Sequence, residues 1–426
     1  MPALNLHISN KLGRSVENHV KPVWLDKTTP PHVVTLVAIA GIGALSMNIF
    51  LPALPAMASF FDVDYALIQL AISAYLGVVA LLQIIIGPLS DRFGRRPVLL
   101  GGLGIFVLAT LGCVLATDIE TLLGFRMLQA AVASGIVLSR AIVRDMVPPE
   151  KAASMIGYVT MGMSLMPMIG PALGGVLNDA FGWQSSFIML GVSGLLVLFL
   201  IYADLGETNQ HKSASFGAQF RAYPDLIRAR RFWGYTLTAG FASGAFFSFL
   251  GGAPFISKEV LGLSATEMGG YFGIVAFGYM VGNFFSGRYS QRAGINLMMV
   301  MGSVVATFGA LISLALFEFG ILHPLSLFGP MFFVGIGNGM TLPNANAGIV
   351  SVRPHLAGSA SGLSGAITIG SGAALSALAG ALLTPETGAM PLFALMVAVS
   401  LLAILASFYV IWVAKRAEPL GKDGFS

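Results

Sequence analysis

Two stretches of the chain, residues 66–86 and 97–117, contain no charged side chain, and between them stands Gly-Pro-Leu-Ser-Asp-Arg-Phe-Gly-Arg-Arg, from Gly87 to Arg96. A charge-free run of about 20 residues is the length an α-helix needs to cross a bilayer. Inside a bilayer the backbone finds no water to bond, so a spanning chain must form helices or a closed barrel. Barrel strands alternate over about ten residues; these runs are continuous and rich in Leu, Ala and Gly. Similar runs recur to the end, and only 10% of residues are charged, against about 25% in soluble domains. The sequence therefore predicts an all-α polytopic membrane protein.

Twelve helices are expected, near 32–55, 66–89, 97–117, 120–143, 152–177, 185–204, 231–256, 266–287, 295–316, 323–347, 357–382 and 389–413. The cations test this count, because Lys and Arg in short loops stay on the cytoplasmic side. Of the 23 Lys and Arg residues, Lys258 alone falls on one side of the predicted membrane and Arg126 alone falls within a span. All others share the side of the Gly87–Arg96 turn, which places both termini in the cytoplasm. The N-terminal residues mix charges of both signs without an apolar core, so a cleavable signal peptide is not expected.

The turn returns 200 residues later. Gly87, Ser90, Arg92 and Gly94 recur as Gly287, Ser290, Arg292 and Gly294, with Gln291 in place of Asp91. A repeat at half the chain length predicts two pseudo-symmetric six-helix halves. The expected organisation is a tail over 1–31, a first bundle over 32–205, a polar cytoplasmic linker over 206–230, a second bundle over 231–413 and a tail over 414–426. Ser264-Ala-Thr-Glu267 reads as a capping box that opens the eighth helix.

Several motifs carry a resemblance. Gly87 to Arg96 is similar to the loop signature of the major facilitator superfamily, with Asp91, Arg92, Gly94, Arg95 and Arg96 in place. Gly162, Gly170, Pro171, Gly174 and Gly175 resemble the antiporter motif of its fifth helix. Arg126-Met-Leu-Gln129, the run Ser139 to Asp145 and Leu51-Pro-Ala-Leu-Pro55 resemble the bacterial drug:proton antiporters of the bicyclomycin and chloramphenicol resistance type. The resemblance covers residues 32 to 413. It implies the major facilitator fold, a multi-pass protein of the bacterial inner membrane, and export of amphipathic small molecules against proton influx. It implies a monomer with no cofactor. Members of that branch commonly carry an Asp in the first helix where this chain has Asn48, an amide that cannot hold a proton.

A charge within a span is expensive and usually faces a cavity, so Arg126 is the leading candidate to meet cargo or couple transport. Gln129 shares its face. The other candidates for a substrate wall are Asn48, Tyr75, Met163, Met166, Phe247, Asn338 and Asn344. Acidic side chains fall at helix ends, with Asp204 among those at the cytoplasmic edge. That leaves Asp91, Asp145 and Glu318 as coupling candidates. Asp91 is expected to latch the cytoplasmic gate against the start of the eleventh helix, after Pro354, with Arg144 as a second partner.

Other functions are excluded or left as rivals. The single cysteine, Cys113, rules out an intrachain disulfide or a cysteine metal site. Neither G-x-x-x-x-G-K-[ST] nor H-E-x-x-H occurs, so an ATP pump or a metalloenzyme is not expected. The small cationic excess reflects topology, not nucleic acid. The expected partners are a small-molecule substrate, a proton and lipid. An importer or facilitator of one metabolite on the same fold remains the rival reading.

Overall fold

A computed structural model describes residues 23–147, 155, 156, 158, 159, 162, 163, 166–209, 223–353 and 356–417. Among them, eleven helices are long and apolar enough to cross a membrane. They are α1 (Val33–Phe61), α2 (Tyr65–Phe93), α3 (Arg95–Val114), α4 (Ile119–Met146), α6 (Gln184–Asp204), α7 (Arg230–Val260), α8 (Ala265–Ala293), α9 (Ile295–Glu318), α10 (Pro324–Val352), α11 (Gly358–Leu382) and α12 (Met390–Ala414). The place between α4 and α6 belongs to α5, described as Met166–Phe181. Its predicted start at 152, most of the two predicted tails and the middle of the linker lie outside the described residues, as does Pro354.

Local chemistry explains where helices break. Pro52 and Pro55 remove two backbone donors, and α1 passes through a 3-10 turn at Leu51–Ala53 before continuing to Phe61, beyond its predicted end. The predicted capping box is present: the Ser264 hydroxyl accepts from Glu267 N, and Glu267 accepts from Ser264 N.

The two halves repeat the same corner. Both α2 and α8 end on a glycine whose N–H bonds back to a serine carbonyl, Gly94 to Ser90 and Gly294 to Ser290, each at 2.9 Å. Gly94 has φ +103° and Gly294 φ +83°, and both ψ angles are extended, at 155° and 149°. This backbone region is essentially closed to residues with a Cβ, which is why both copies of the motif keep a glycine there.

The close packing of α5 explains its glycines. A Cβ on Gly174 would overlap the Ile49 carbonyl of α1, and one on Gly175 would overlap the Ala265 carbonyl of α8. Gly162 and Gly170 also face α1, at Val37 and Asn48. The motif lets one helix of the first half touch a helix of each half at backbone distance, so α5 packs closely against both bundles. Gly278 and Gly282 of α8 likewise meet the Phe332 and Ile336 carbonyls of α10.

Asp204 is the last residue of α6. It is fully buried and accepts from Leu25 N at 2.7 Å, His32 N at 2.9 Å and the Thr35 hydroxyl at 2.6 Å. The end of α6 thereby ties down the segment that leads into α1. A buried carboxylate needs such donors, since its desolvation is otherwise uncompensated.

Candidate functional site: a cavity between the halves

A cavity of about 270 Å³ lies between the two bundles. From the first half, Ala44, Met47 and Asn48 of α1 line it with Met163 and Pro167 of the α5 segment. From the second half come Phe246 and Phe247 of α7, Phe272 and Tyr279 of α8, and Asn338 of α10, among others. The described wall is mainly aromatic, aliphatic and thioether, and among the described residues none of the lining side chains is an acid, a lysine or an arginine. Among the described lining residues the amides are Asn48 and Asn338, one from each half. Asn48 donates to its own Ala44 carbonyl at 2.6 Å. The Asn338 carboxamide oxygen is buried and has no hydrogen-bond partner.

Of the sequence candidates, Asn48, Met163, Phe247 and Asn338 line this cavity, while others do not. Met166 packs near Gly41 instead. Asn344 donates to the Ser286 hydroxyl at 2.9 Å and to the Met340 carbonyl at 2.7 Å, inside α8–α10 packing.

Arg126 is the main correction. It is 1% exposed and is not among the cavity-lining residues. Its Nε donates to the Ala71 carbonyl of α2 at 3.0 Å. Its two terminal nitrogens donate to the Ser46 hydroxyl and carbonyl of α1, at 3.1 and 2.8 Å, and to Gln129 Oε1 at 2.7 Å. The guanidinium also lies 3.8 Å from the ring centre of Tyr75 and 4.3 Å from that of Phe50. Gln129 passes the connection on, donating to Thr110 of α3 at 2.7 Å. The planar fork therefore joins α1, α2, α3 and α4 around one cation held by carbonyls and two ring faces. Periodicity could place Arg126 and Gln129 on one face; it could not tell a face on the cavity from a face on three neighbouring helices.

At the end of the bundle away from the Gly87–Arg96 turn, the halves are bonded to each other. The Tyr65 hydroxyl donates to the Gly251 carbonyl at 2.8 Å. Gln69 Nε2 donates to both the carbonyl and the hydroxyl of Ser376, each at 2.8 Å. Thr266 N donates to Asp179 Oδ2 at 2.8 Å. At the other end a polar cavity of about 420 Å³ separates Gln83, Asp91, Arg95, Arg144 and Asp145 from Leu356, Gly358 and Ser359 of the second half.

Asp91 finds its partner nearer than expected. It pairs with Arg95 of its own turn, and Arg95 Nε bonds Asp145 at 3.0 Å. Arg144 and the start of α11 share the cavity with Asp91 but do not supply this ion pair, because Arg95 at i+4 reaches the carboxylate first. Sequence reasoning missed Glu207. Its carboxylate accepts from Arg95 N at 2.9 Å and Arg96 N at 3.3 Å, capping α3. Thr208 donates to Asp145 at 3.2 Å, and Asn209 to the Asp91 carbonyl at 3.1 Å. The first residues after α6 are therefore laced onto the motif. Nothing in the local sequence signals this, since the partners are over 60 residues away.

Two pseudo-symmetric helical bundles with a ligand-sized cavity at their interface, hydrogen-bonded to each other at one end, define a membrane carrier. The Major Facilitator Superfamily profile matches residues 36–376. The chain is 32% identical to the uncharacterized MFS-type transporter YdgK of Bacillus subtilis, over 87% of this chain and 92% of the relative. It is 32% identical to a chloramphenicol resistance protein of Pseudomonas aeruginosa, over 74% and 76%. It is 30% identical to multidrug resistance protein D of Escherichia coli, over 88% and 94%. Among solved structures it resembles a bacterial homolog of the human lysosomal transporter Spinster, with TM-score 0.68 and 18% identity over 90% of this chain and 96% of that one. The chain belongs to the Major Facilitator Superfamily. It is a multi-pass membrane transporter of small molecules, not an enzyme.

Proposed function

We propose that the protein exports amphipathic small molecules, including drugs, from the bacterial cytoplasm across the inner membrane, as a monomer driven by proton influx. Both termini and the Gly87–Arg96 turn face the cytoplasm, following the cation asymmetry. The observation that carries the reading is the apolar cavity shared by both halves, which are hydrogen-bonded to each other at the far end. Rocking of one bundle against the other about that cavity would expose it alternately to the two sides. The α5 glycines supply the bearing, and the Asp91–Arg95–Asp145 ion pairs with Glu207 hold the cytoplasmic corner of the first half together during the motion. The names of two relatives, a chloramphenicol and a multidrug resistance protein, support drugs as cargo.

The described cavity wall holds no carboxylate, so the proposed coupling candidates lie outside it. Asp91 and Asp145 are the carboxylates nearest the cytoplasmic path, and Glu318 sits at the opposite end. The test is efflux from cells overproducing the protein, measured across a drug panel with and without an uncoupler. Resistance abolished by the uncoupler supports proton-driven export. Uncoupler-insensitive resistance removes the coupling, and accumulation of one metabolite on expression removes export.

A further inference from the structure

The aromatic cavity's described wall carries no charge, but a cation stands beside it. Arg140 lies within α4, six residues before its last residue, Met146, which is about 9 Å of helix. Its neighbours on α4 fix its direction. One turn earlier, Ile136 lies over Gly43 of α1. Val137, Ala141 and Arg144 line the polar cytoplasmic cavity. On the helix wheel Arg140 falls between those two faces, so it points toward the centre of the bundle. There it is within electrostatic range of Tyr279 of α8, which belongs to the aromatic wall. Arg140 therefore stands at the cytoplasmic floor of that cavity, on the seam between the halves.

This guanidinium is without a partner. Arg140 is half-buried. Among the described residues it makes no hydrogen bond or ion pair, and no carboxylate is near enough to bear on its charge. Its nitrogens are not sealed in protein; they open onto the space between the bundles. The other arginines nearby are engaged. Arg126 is held by Ala71, Ser46 and Gln129, and Arg95 by Asp91 and Asp145. Arg144 shares the polar cavity with those two acids and reaches Gly358 of α11. A cation inside a membrane bundle with no counter-charge is costly, and such residues mark ligand paths. A guanidinium is also always charged, and its fork fits a carboxylate with two parallel bonds.

We infer that Arg140 binds the anionic group of the cargo, and that the protein takes amphipathic organic anions: an aromatic body among Phe246, Phe247 and Phe272, and a carboxylate or sulfonate on the Arg140 guanidinium. The inference rests on the export reading for its setting and names the cargo class. The aromatic and methionine wall supplies contact area without directional demands. The guanidinium supplies the discrimination. A neutral molecule of the same shape fills the cavity but leaves the fork unpaired, and a cation meets a like charge at the floor.

The experiment measures equilibrium binding to the purified full-length protein in nanodiscs of zwitterionic lipid at neutral pH, with no gradient and with partition into empty nanodiscs subtracted. Three probes share one ring system and differ in charge: naphthoate, naphthylmethanol and naphthylmethylammonium. The native protein should bind naphthoate about tenfold tighter than the alcohol, and the ammonium weakest. Arg140→Gln should weaken naphthoate by about tenfold or more, the worth of a hydrogen bond to a charged group, and change the alcohol by less than about twofold. Arg140→Glu should reverse the order of the two ions, and Arg140→Lys should keep part of the preference. The ranking on the native protein tests the inference even if a variant folds poorly, which size-exclusion profiles report. Naphthoate bound no tighter than the alcohol, or an equal loss of all three probes in Arg140→Gln, would overturn it. So would a gain in ammonium binding with naphthoate unchanged, which would make Arg140 a barrier to cations only. Binding in the expected pattern by a protein that pumps nothing would instead sink the export reading alone.

Discussion

The glycines at the two repeated corners give a matched pair of perturbations. Gly94→Ala and Gly294→Ala both force a Cβ into a backbone region that is essentially glycine's alone, at about 1–3 kcal/mol each. They differ in what surrounds them. A Cβ on Gly294 meets nothing within 4 Å, whereas one on Gly94 overlaps the Glu207 carboxylate. Glu207 ends a flexible side chain and can swing away, so the added cost is only the cap it gives Arg95 N and Arg96 N. Losing an N-terminal cap costs about 0.5–2 kcal/mol. Because Glu207 is exposed, water competes for those donors, and about 1 kcal/mol is the expected difference between the two variants. Reversible unfolding in mixed detergent micelles, run as a cycle with Glu207→Ala, measures it. In the Glu207→Ala background Gly94→Ala should cost no more than Gly294→Ala. Equal costs at both glycines in the native background, or an unchanged Gly94→Ala cost once Glu207 is removed, would refute the strap between linker and motif.

Arg126→Lys keeps the charge but cannot reproduce a fork that reaches Ala71, Ser46 and Gln129 together. It should destabilise the protein by about 2 kcal/mol or more, from hydrogen bonds to a charged group, while KM for cargo changes by less than about twofold; a large KM change with native stability would return Arg126 to the binding wall. Gln69→Leu removes two bonds that hold the far end closed. It should shift the population toward the opposite-facing state by about tenfold, read as spin-label distances across each end of the bundle. Unchanged distances would mean that those bonds do not set the equilibrium. Gly174→Leu should block assembly or transport, because no rotamer avoids the Ile49 carbonyl; normal transport at normal membrane levels would count against backbone contact between α1 and α5.

The sequence by itself determined the membrane, the helices and the two-fold repeat. These follow from one-dimensional facts: runs without charge longer than a bilayer is thick, cations confined to alternate loops, and a corner that recurs after 200 residues. It also placed Arg126 within a span, as a charge that usually faces a cavity. Which neighbours receive that guanidinium was decided only by tertiary structure, because a helix face has a direction in the sequence but no partner. Arg126 therefore became a clamp on four helices, and Asn48 and Asn338, from different halves, came to line one cavity. The same holds for Asp204 and Glu207. In the sequence they are only acids near a helix end; the fold brings the starts of α1 and α3 to the end of α6, where unpaired backbone N–H groups are waiting for an acceptor.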